Sequence, residues 1–136
     1  GLATFSDVLT RENYAHVEKL SKKLVEGYNR IIKKVGLQAY IAQAGANGAL
    51  MLYPQEIRNY RDWLTVDVDV WRHYWFGMVN RGVMPQPYWQ DEQWTISVQH
   101  TEADIDKHIA AFDDIAVSLA KAQQERADKA PALAAH

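Results

Sequence analysis

The sequence predicts an α+β domain in which a small antiparallel sheet of about four strands packs against amphipathic helices. Three observations carry that prediction. Apolar residues recur every three or four positions in three separate stretches, around 14–35, 70–79 and 105–119. Short apolar runs bounded by Gly and Pro lie between those stretches. Each helical stretch has a single apolar face, so each needs a sheet or another helix to cover it.

The elements follow in order. Leu2, Phe5 and Leu9 already show helical spacing, with only Gly1 before them and no capping residue. The expectation is a chain that begins inside a helix, with residues 1–9 as the end of a helix from a larger protein. Thr10 is the N-cap expected of the next helix, with Glu12 and Asn13 in its first turn. Tyr14, Val17, Leu20, Leu24, Tyr28, Ile31 and Val35 form its stripe, Lys19, Lys22 and Lys33 fall opposite, and Gly36 is its stop. Residues 37–41 and 49–53 read as two strands joined through Gly45-Ala46-Asn47-Gly48, and Pro54 closes the second. Residues 55–66 read as a loop. Asp67 or Asp69 caps a second helix that presents Val70, Trp71, Tyr74, Trp75, Met78 and Val79 and ends at Gly82. Residues 83–86 and 94–99 are further strand candidates, separated by the polar, aromatic stretch 87–93. Thr101-Glu102-Ala103-Asp104 matches a capping box with Asp in place of the preferred Glu. Behind it, Ile105, Ile109, Phe112, Ala116 and Leu119 form the last stripe. After Gln124 the sequence turns Ala-rich and polar and Pro131 interrupts it, so residues 124–136 are expected to form a disordered tail.

Composition narrows the function. A chain of 136 residues, 48% of them hydrophobic, supports one domain with a substantial core. Fifteen basic and 17 acidic residues leave a net charge of −2, which removes the electrostatic case for nucleic acid or a polybasic membrane contact. No apolar run approaches the roughly 18–20 residues of a membrane span. The absence of Cys excludes disulfide frameworks, thiol nucleophiles and cysteine zinc sites. A cytoplasmic domain is expected.

Most catalytic signatures are missing. The five histidines, at 16, 73, 100, 108 and 136, include no pair four residues apart, so a helical metal site has no scaffold. Gly45-Ala46-Asn47-Gly48 lacks the pattern of a phosphate loop and reads as a turn. Ser6, Ser21, Ser97 and Ser118 have no nucleophile context. The lysines fall opposite the apolar stripes, at their flanks or in the tail, whereas a Schiff-base lysine must be desolvated. None is a catalytic candidate. Five Trp and seven Tyr are unusual for this length. Trp71, Tyr74 and Trp75 fit the core. Tyr88, Trp89 and Trp94, beside Asp91 and Glu92, either line a binding surface or fold back on neighbouring hydrophobes.

The run from Asn80 onward carries a family likeness. Asn80-Arg81-Gly82-Val83, Pro87, Glu92 and Ser97-Val98-Gln99-His100-Thr101-Glu102-Ala103-Asp104-Ile105-Asp106 resemble the C-terminal domain of class III pyridoxal-phosphate aminotransferases. The closest likeness is to the glutamate-1-semialdehyde aminomutase branch. The segment 45–53 with Arg58-Asn59-Tyr60-Arg61-Asp62 is similar to the strand and loop preceding that run. The likeness spans residues 1–123. It departs from the pattern in a loop one residue longer between Pro87 and Ser97, in Trp94 at a usually small position, and in having no Arg between Arg81 and the last helix.

The resemblance implies a small domain of a homodimeric enzyme, whose missing large domain carries the cofactor, pyridoxal phosphate, and its lysine. It implies an amino-acid or amine substrate, no catalytic or cofactor-binding residue in this chain, and substrate contacts from Glu92, with Asp91 as the fallback and Trp89 beside them. On that expectation the chain alone is inactive. The competing expectation is a free-standing α+β module that binds a ligand or dimerises without catalysis.

Overall fold

The computed structural model describes residues 1–89 and 93–133. Its elements are a π-helical turn Thr4–Val8, α1 Arg11–Val35, β1 Tyr40–Ala44, β2 Asn47–Met51, α2 Tyr60–Trp63, α3 Val68–Val79, β3 Trp94–Thr95 and α4 Glu102–Leu133.

Local chemistry sets the boundaries. Thr10 caps α1 by accepting the Asn13 N–H at 3.2 Å, and Gly36 ends it at φ 69°, where its N–H returns to the Ile32 carbonyl. Asp67 caps α3 by accepting from the N–H groups of Asp69 and Val70. At the start of α4 the Asp104 carboxylate accepts from the Thr101 N–H and hydroxyl, both at 2.8 Å, while Thr101 accepts the Asp104 N–H. The Asp version of the capping box therefore forms.

α1 packs along α4, α3 packs on α4, and the sheet lies against α1. Leu20, Leu24 and Tyr28 of α1 meet Val70, Trp71, Tyr74 and Met78 of α3 and Ile105, Phe112, Ala116 and Leu119 of α4 in one core. At its centre the rings of Tyr28 and Phe112 stack with centroids 3.9 Å apart.

Among the described residues the sheet has three strands in the order β1-β2-β3, both pairs antiparallel, rather than about four. The hairpin pairs Tyr40 with Met51 through Ala44 with Asn47, leaving Gly45 and Ala46 as its loop, with Gly45 at φ 58°. Pairing continues closer to the turn than the apolar runs suggested, so the strands are 40–44 and 47–51 instead of 37–41 and 49–53. Residues 83–86 are not a strand: the Val83 N–H closes back on the Met78 carbonyl after α3, and Pro85 and Pro87 have no N–H for a ladder. β3 is two residues long because pairing with β2 stops at Thr95 opposite Asn47. The loop 55–66 contains the short helix α2, capped by the Asn59 side chain.

α4 continues to Leu133, through much of the segment read as a disordered tail. Alanine favours helix, and Arg126 ties this part of α4 to the start of α3 through Asp67 and, at 3.0 Å, Asp69. At the other end, residues 2–8 are helical, and none of the π-turn residues Thr4–Val8 is buried. Leu2 and Phe5 are 84% and 72% exposed. No helix among the described residues is long and apolar enough to cross a membrane.

Candidate functional site

The segment between α3 and α4 is fastened at both stems. On the α3 side, the Trp75 indole N–H donates to the Gln86 carbonyl at 2.9 Å, and the Gln86 amide donates to the Trp89 carbonyl at 3.3 Å. Tyr88 sits among the rings of Trp71, Trp75 and Phe76, with centroids 4.8–5.8 Å away. Tyr88 thus packs against neighbouring hydrophobes yet stays 43% exposed, and Trp89 is 49% exposed. On the far side Trp94 is buried, its ring laid over Gly48 and 5.6 Å from Tyr28. Asp91 and Glu92 lie outside the described residues.

A cleft of about 360 Å³ opens beside this segment. Met84–Pro87 and Gln93–Thr95 line it together with His100, Asp104 and His108. Behind His108, a buried chain of hydroxyls runs into the core: its Nε2 is 2.9 Å from the Tyr28 hydroxyl, which is 3.0 Å from that of Tyr74. Burial pushes the pKa of His108 down to about 4, and the nearby His100 adds in the same direction. His108 is neutral at pH 7.

Which ring nitrogen carries the proton follows from donor accounting. Tyr74 and Tyr28 are fully buried. Among the described residues the Tyr74 hydroxyl has only Tyr28 to donate to, and Tyr28 must then donate to His108 Nε2. The His108 proton therefore sits on Nδ1. His100 resolves the other way: its Nδ1 accepts the Ser97 backbone N–H at 3.0 Å, which leaves the proton on Nε2. The Thr101 N–H and hydroxyl hold the Asp104 carboxyl below its ordinary pKa, so it is ionised. Only its Oδ2 is engaged by them. The cleft thus combines one carboxylate with two imidazole N–H groups over an apolar floor of Leu24, Ile96 and Ile105.

The Ser97…His100-Thr101…Asp104 run, which carries most of the family likeness, is in this structure the cap of α4. Sequence reasoning missed the Tyr74–Tyr28–His108 chain. The signal was present: His108 lies three residues after Ile105 and four before Phe112, on the apolar stripe. No group of three potential metal ligands comes together among the described residues. Seven of the eight lysines are exposed. Lys23 is half-buried, and its ammonium lies 2.7 Å from Asp106 and 3.4 Å from Glu102, which raise its pKa.

No family model matches the chain. It does match a small part of glutamate-1-semialdehyde 2,1-aminomutase. Against that protein from Clostridium perfringens strain SM101 it is 35% identical over 115 residues, covering 83% of this chain and 27% of the relative. Against the one from Clostridium botulinum strain Eklund 17B it is 36% identical over 122 residues, covering 87% and 28%. The Desulfatibacillum aliphaticivorans protein is 30% identical over 115 residues, with 85% and 27% covered. The chain thus spans little more than a quarter of the relatives it matches. Its fold recurs in a glutamate-1-semialdehyde-aminomutase from Pseudomonas aeruginosa PAO1, with a TM-score of 0.73 at 21% identity over 86% of this chain and 26% of that one. It recurs also in an omega-transaminase from Sphaerobacter thermophilus, with a TM-score of 0.64 at 15% identity over 83% and 25%.

Proposed function

We propose that this chain is the C-terminal small domain of a pyridoxal-phosphate-dependent class III aminotransferase or aminomutase, covering an active site held mainly by a preceding large domain. One observation carries the reading: 83–87% of the chain aligns at 30–36% identity with 27–28% of glutamate-1-semialdehyde 2,1-aminomutases.

The residues of this chain do not suit the cofactor's covalent anchor. Such a lysine needs its ammonium destabilised by burial or by neighbouring cations. Lys23, the half-buried one, is instead held charged by two carboxylates. The cofactor and the amino-transfer chemistry are therefore assigned to the rest of the enzyme, and the isolated chain is inactive. On this reading the enzyme is a cytoplasmic homo-oligomer acting on an amino acid or amine, without nucleic-acid or membrane partners. Glu92 orients the substrate, Asp91 takes that role if the extra loop residue follows the acid, and Trp89 supplies rigid aromatic surface.

The test replaces the matching segment of the Clostridium perfringens protein with this chain. The hybrid should hold pyridoxal phosphate and transfer amino groups, whereas the same protein lacking the segment should not. Within the hybrid, Glu92→Gln should lower kcat/KM by about tenfold, roughly 1.4 kcal/mol, with the cofactor spectrum unchanged. A soluble hybrid that binds cofactor yet transfers nothing from a panel of amines would overturn the reading. So would a dialysis-stable covalent adduct of pyridoxal phosphate on the isolated chain that one lysine substitution abolishes.

A further inference from the structure

The wall of the cleft formed by His100, Asp104 and His108 has a chemistry of its own. Asp104 and His108 lie one helical turn apart on α4, so their side chains share a face. Asp104 offers a carboxylate oxygen, Oδ1, with no hydrogen-bond partner among the described residues. His108 offers Nδ1–H and His100 offers Nε2–H, both likewise unpartnered. Opposite signs of hydrogen-bonding capacity thus line one cleft: one anionic acceptor and two N–H donors. At about 360 Å³ the cleft is at the small end of ligand sites. Leu24, Ile96 and Ile105 supply apolar surface for a short carbon chain.

We propose that this cleft binds a small amino-acid zwitterion, with its ammonium on Asp104 Oδ1 and its carboxylate on the imidazole N–H groups of His108 and His100. A simple amine would satisfy Asp104 and leave both donors unused. A simple carboxylate would engage the donors but face the Asp104 charge without compensation. Only a ligand carrying both groups answers the whole wall. The hydroxyl chain explains why the donor is fixed: Tyr74 and Tyr28 hold Nε2 of His108 as an acceptor, so in the neutral ring the proton stays on Nδ1, the nitrogen left free for a ligand. The inference rests on this chain's own side chains and does not depend on the enzymatic reading above.

The experiment is an NMR titration of the isotopically labelled chain, following the side-chain nitrogens of His100 and His108. The probes are 4-aminobutanoate and L-alanine, with n-butylamine and butanoate as single-charge controls, each taken to about 10 mM, ten times the roughly 1 mM Kd suited to so small a ligand. Before any ligand is added, His108 should show the Nδ1–H form. At least one zwitterion should then give saturable shifts at both histidines and bind at least tenfold tighter than either control. Asp104→Asn keeps an oxygen for Thr101 and should erase that advantage, with the far-ultraviolet spectrum reporting that α4 is intact. Should Asp104→Asn unfold the start of α4, the control ligands decide alone. An Nε2–H form of His108, equal binding of either control, or no saturation by any probe would overturn the proposal.

Discussion

Gly27 of α1 faces Ile109 of α4 so closely that a Cβ at residue 27 would lie 2.5 Å from the Ile109 Cδ1 and 2.7 Å from its Cγ1. The two helices meet here with no side chain from α1 between them, and the branched Ile109 fills the space. Gly27→Ala gains up to ~1 kcal/mol of helix propensity but must displace the Ile109 side chain or push the helices apart. Overpacking of this kind costs about 1–3 kcal/mol, so a net loss of about 1 kcal/mol is expected in urea unfolding. Ile109→Ala in the same chain should recover part of the loss. Equal stability of Gly27→Ala and the parent would show that the contact yields freely.

Gly48 stands in the same relation to Trp94. A Cβ there would meet the indole Cζ2 at 2.6 Å and Nε1 at 2.8 Å, atoms of a rigid ring that cannot fold away. Gly48→Ala should therefore lift Trp94 out of its place beside Tyr28. The expected readout is a red-shifted Trp emission together with about 2 kcal/mol lost in stability. Unchanged emission would mean that β2 moves instead.

These contacts also mark where sequence reasoning ends. Thr10, Gly36, the pair Asp67 or Asp69, and the Thr101–Asp104 box were legible because caps are local chemistry, readable within four residues. The stripes through Leu24, Tyr28 and Phe112 were legible because helical period survives any tertiary arrangement. Strand lengths were not. Val83 and Pro85 have apolar side chains like strand residues, but the carbonyl of Met78 takes the Val83 N–H, and that competition depends on how α3 ends. The burial of Trp94 depends on Gly48, 46 residues away, and the role of His108 on two hydroxyls from α1 and α3. The candidate site was therefore legible as a loop carrying aromatics and acids, but not as the cleft that forms beside it.

The junction between α3 and the far half of α4 separates two kinds of electrostatic contribution. Asp67 both caps α3 and pairs with Arg126. Burial works against its charge, yet Arg126 and the N–H groups of Val70 and Asp69 together hold its pKa below the ordinary value. Arg126→Ala removes only its solvent-screened ion pairs with Asp67 and Asp69, which contribute little. Asp67→Ala removes the cap as well, a further ~1 kcal/mol. Asp67→Ala should thus be the more destabilising in urea. Arg126→Ala should be the one that weakens hydrogen-exchange protection around residues 120–129. The reverse ranking would assign the stabilisation to the ion pair.

His108 supplies the pH dependence. The titratable and charged groups that face it are His100 and Asp104 from its own segment and Tyr28 from α1, with Tyr74 of α3 behind Tyr28. Its pKa is about 4 in the folded chain against an ordinary value of 6.5. Between those values the unfolded chain binds a proton that the native chain refuses, so stability is complete above pH 6.5 and falls as the pH drops toward 4. Linkage over that interval amounts to about 2 kcal/mol between pH 7 and pH 5. The lowered carboxyls Asp67, Glu102 and Asp104 start from ordinary values of 3.8–4.5 and act mainly below this window. Urea midpoints at pH 7, 6 and 5 should therefore decline in the parent chain. In His108→Gln, whose amide oxygen can still accept from Tyr28, they should stay nearly level. Tyr28→Phe provides the complementary test. It leaves the Tyr74 hydroxyl and His108 Nε2 without partners, at about 1–3 kcal/mol. Burial, the main cause of the low His108 pKa, stays in place, so the decline between pH 7 and 5 should persist from a lower starting stability. A Tyr28→Phe chain as stable as the parent would show that the hydroxyl chain does not hold the fold.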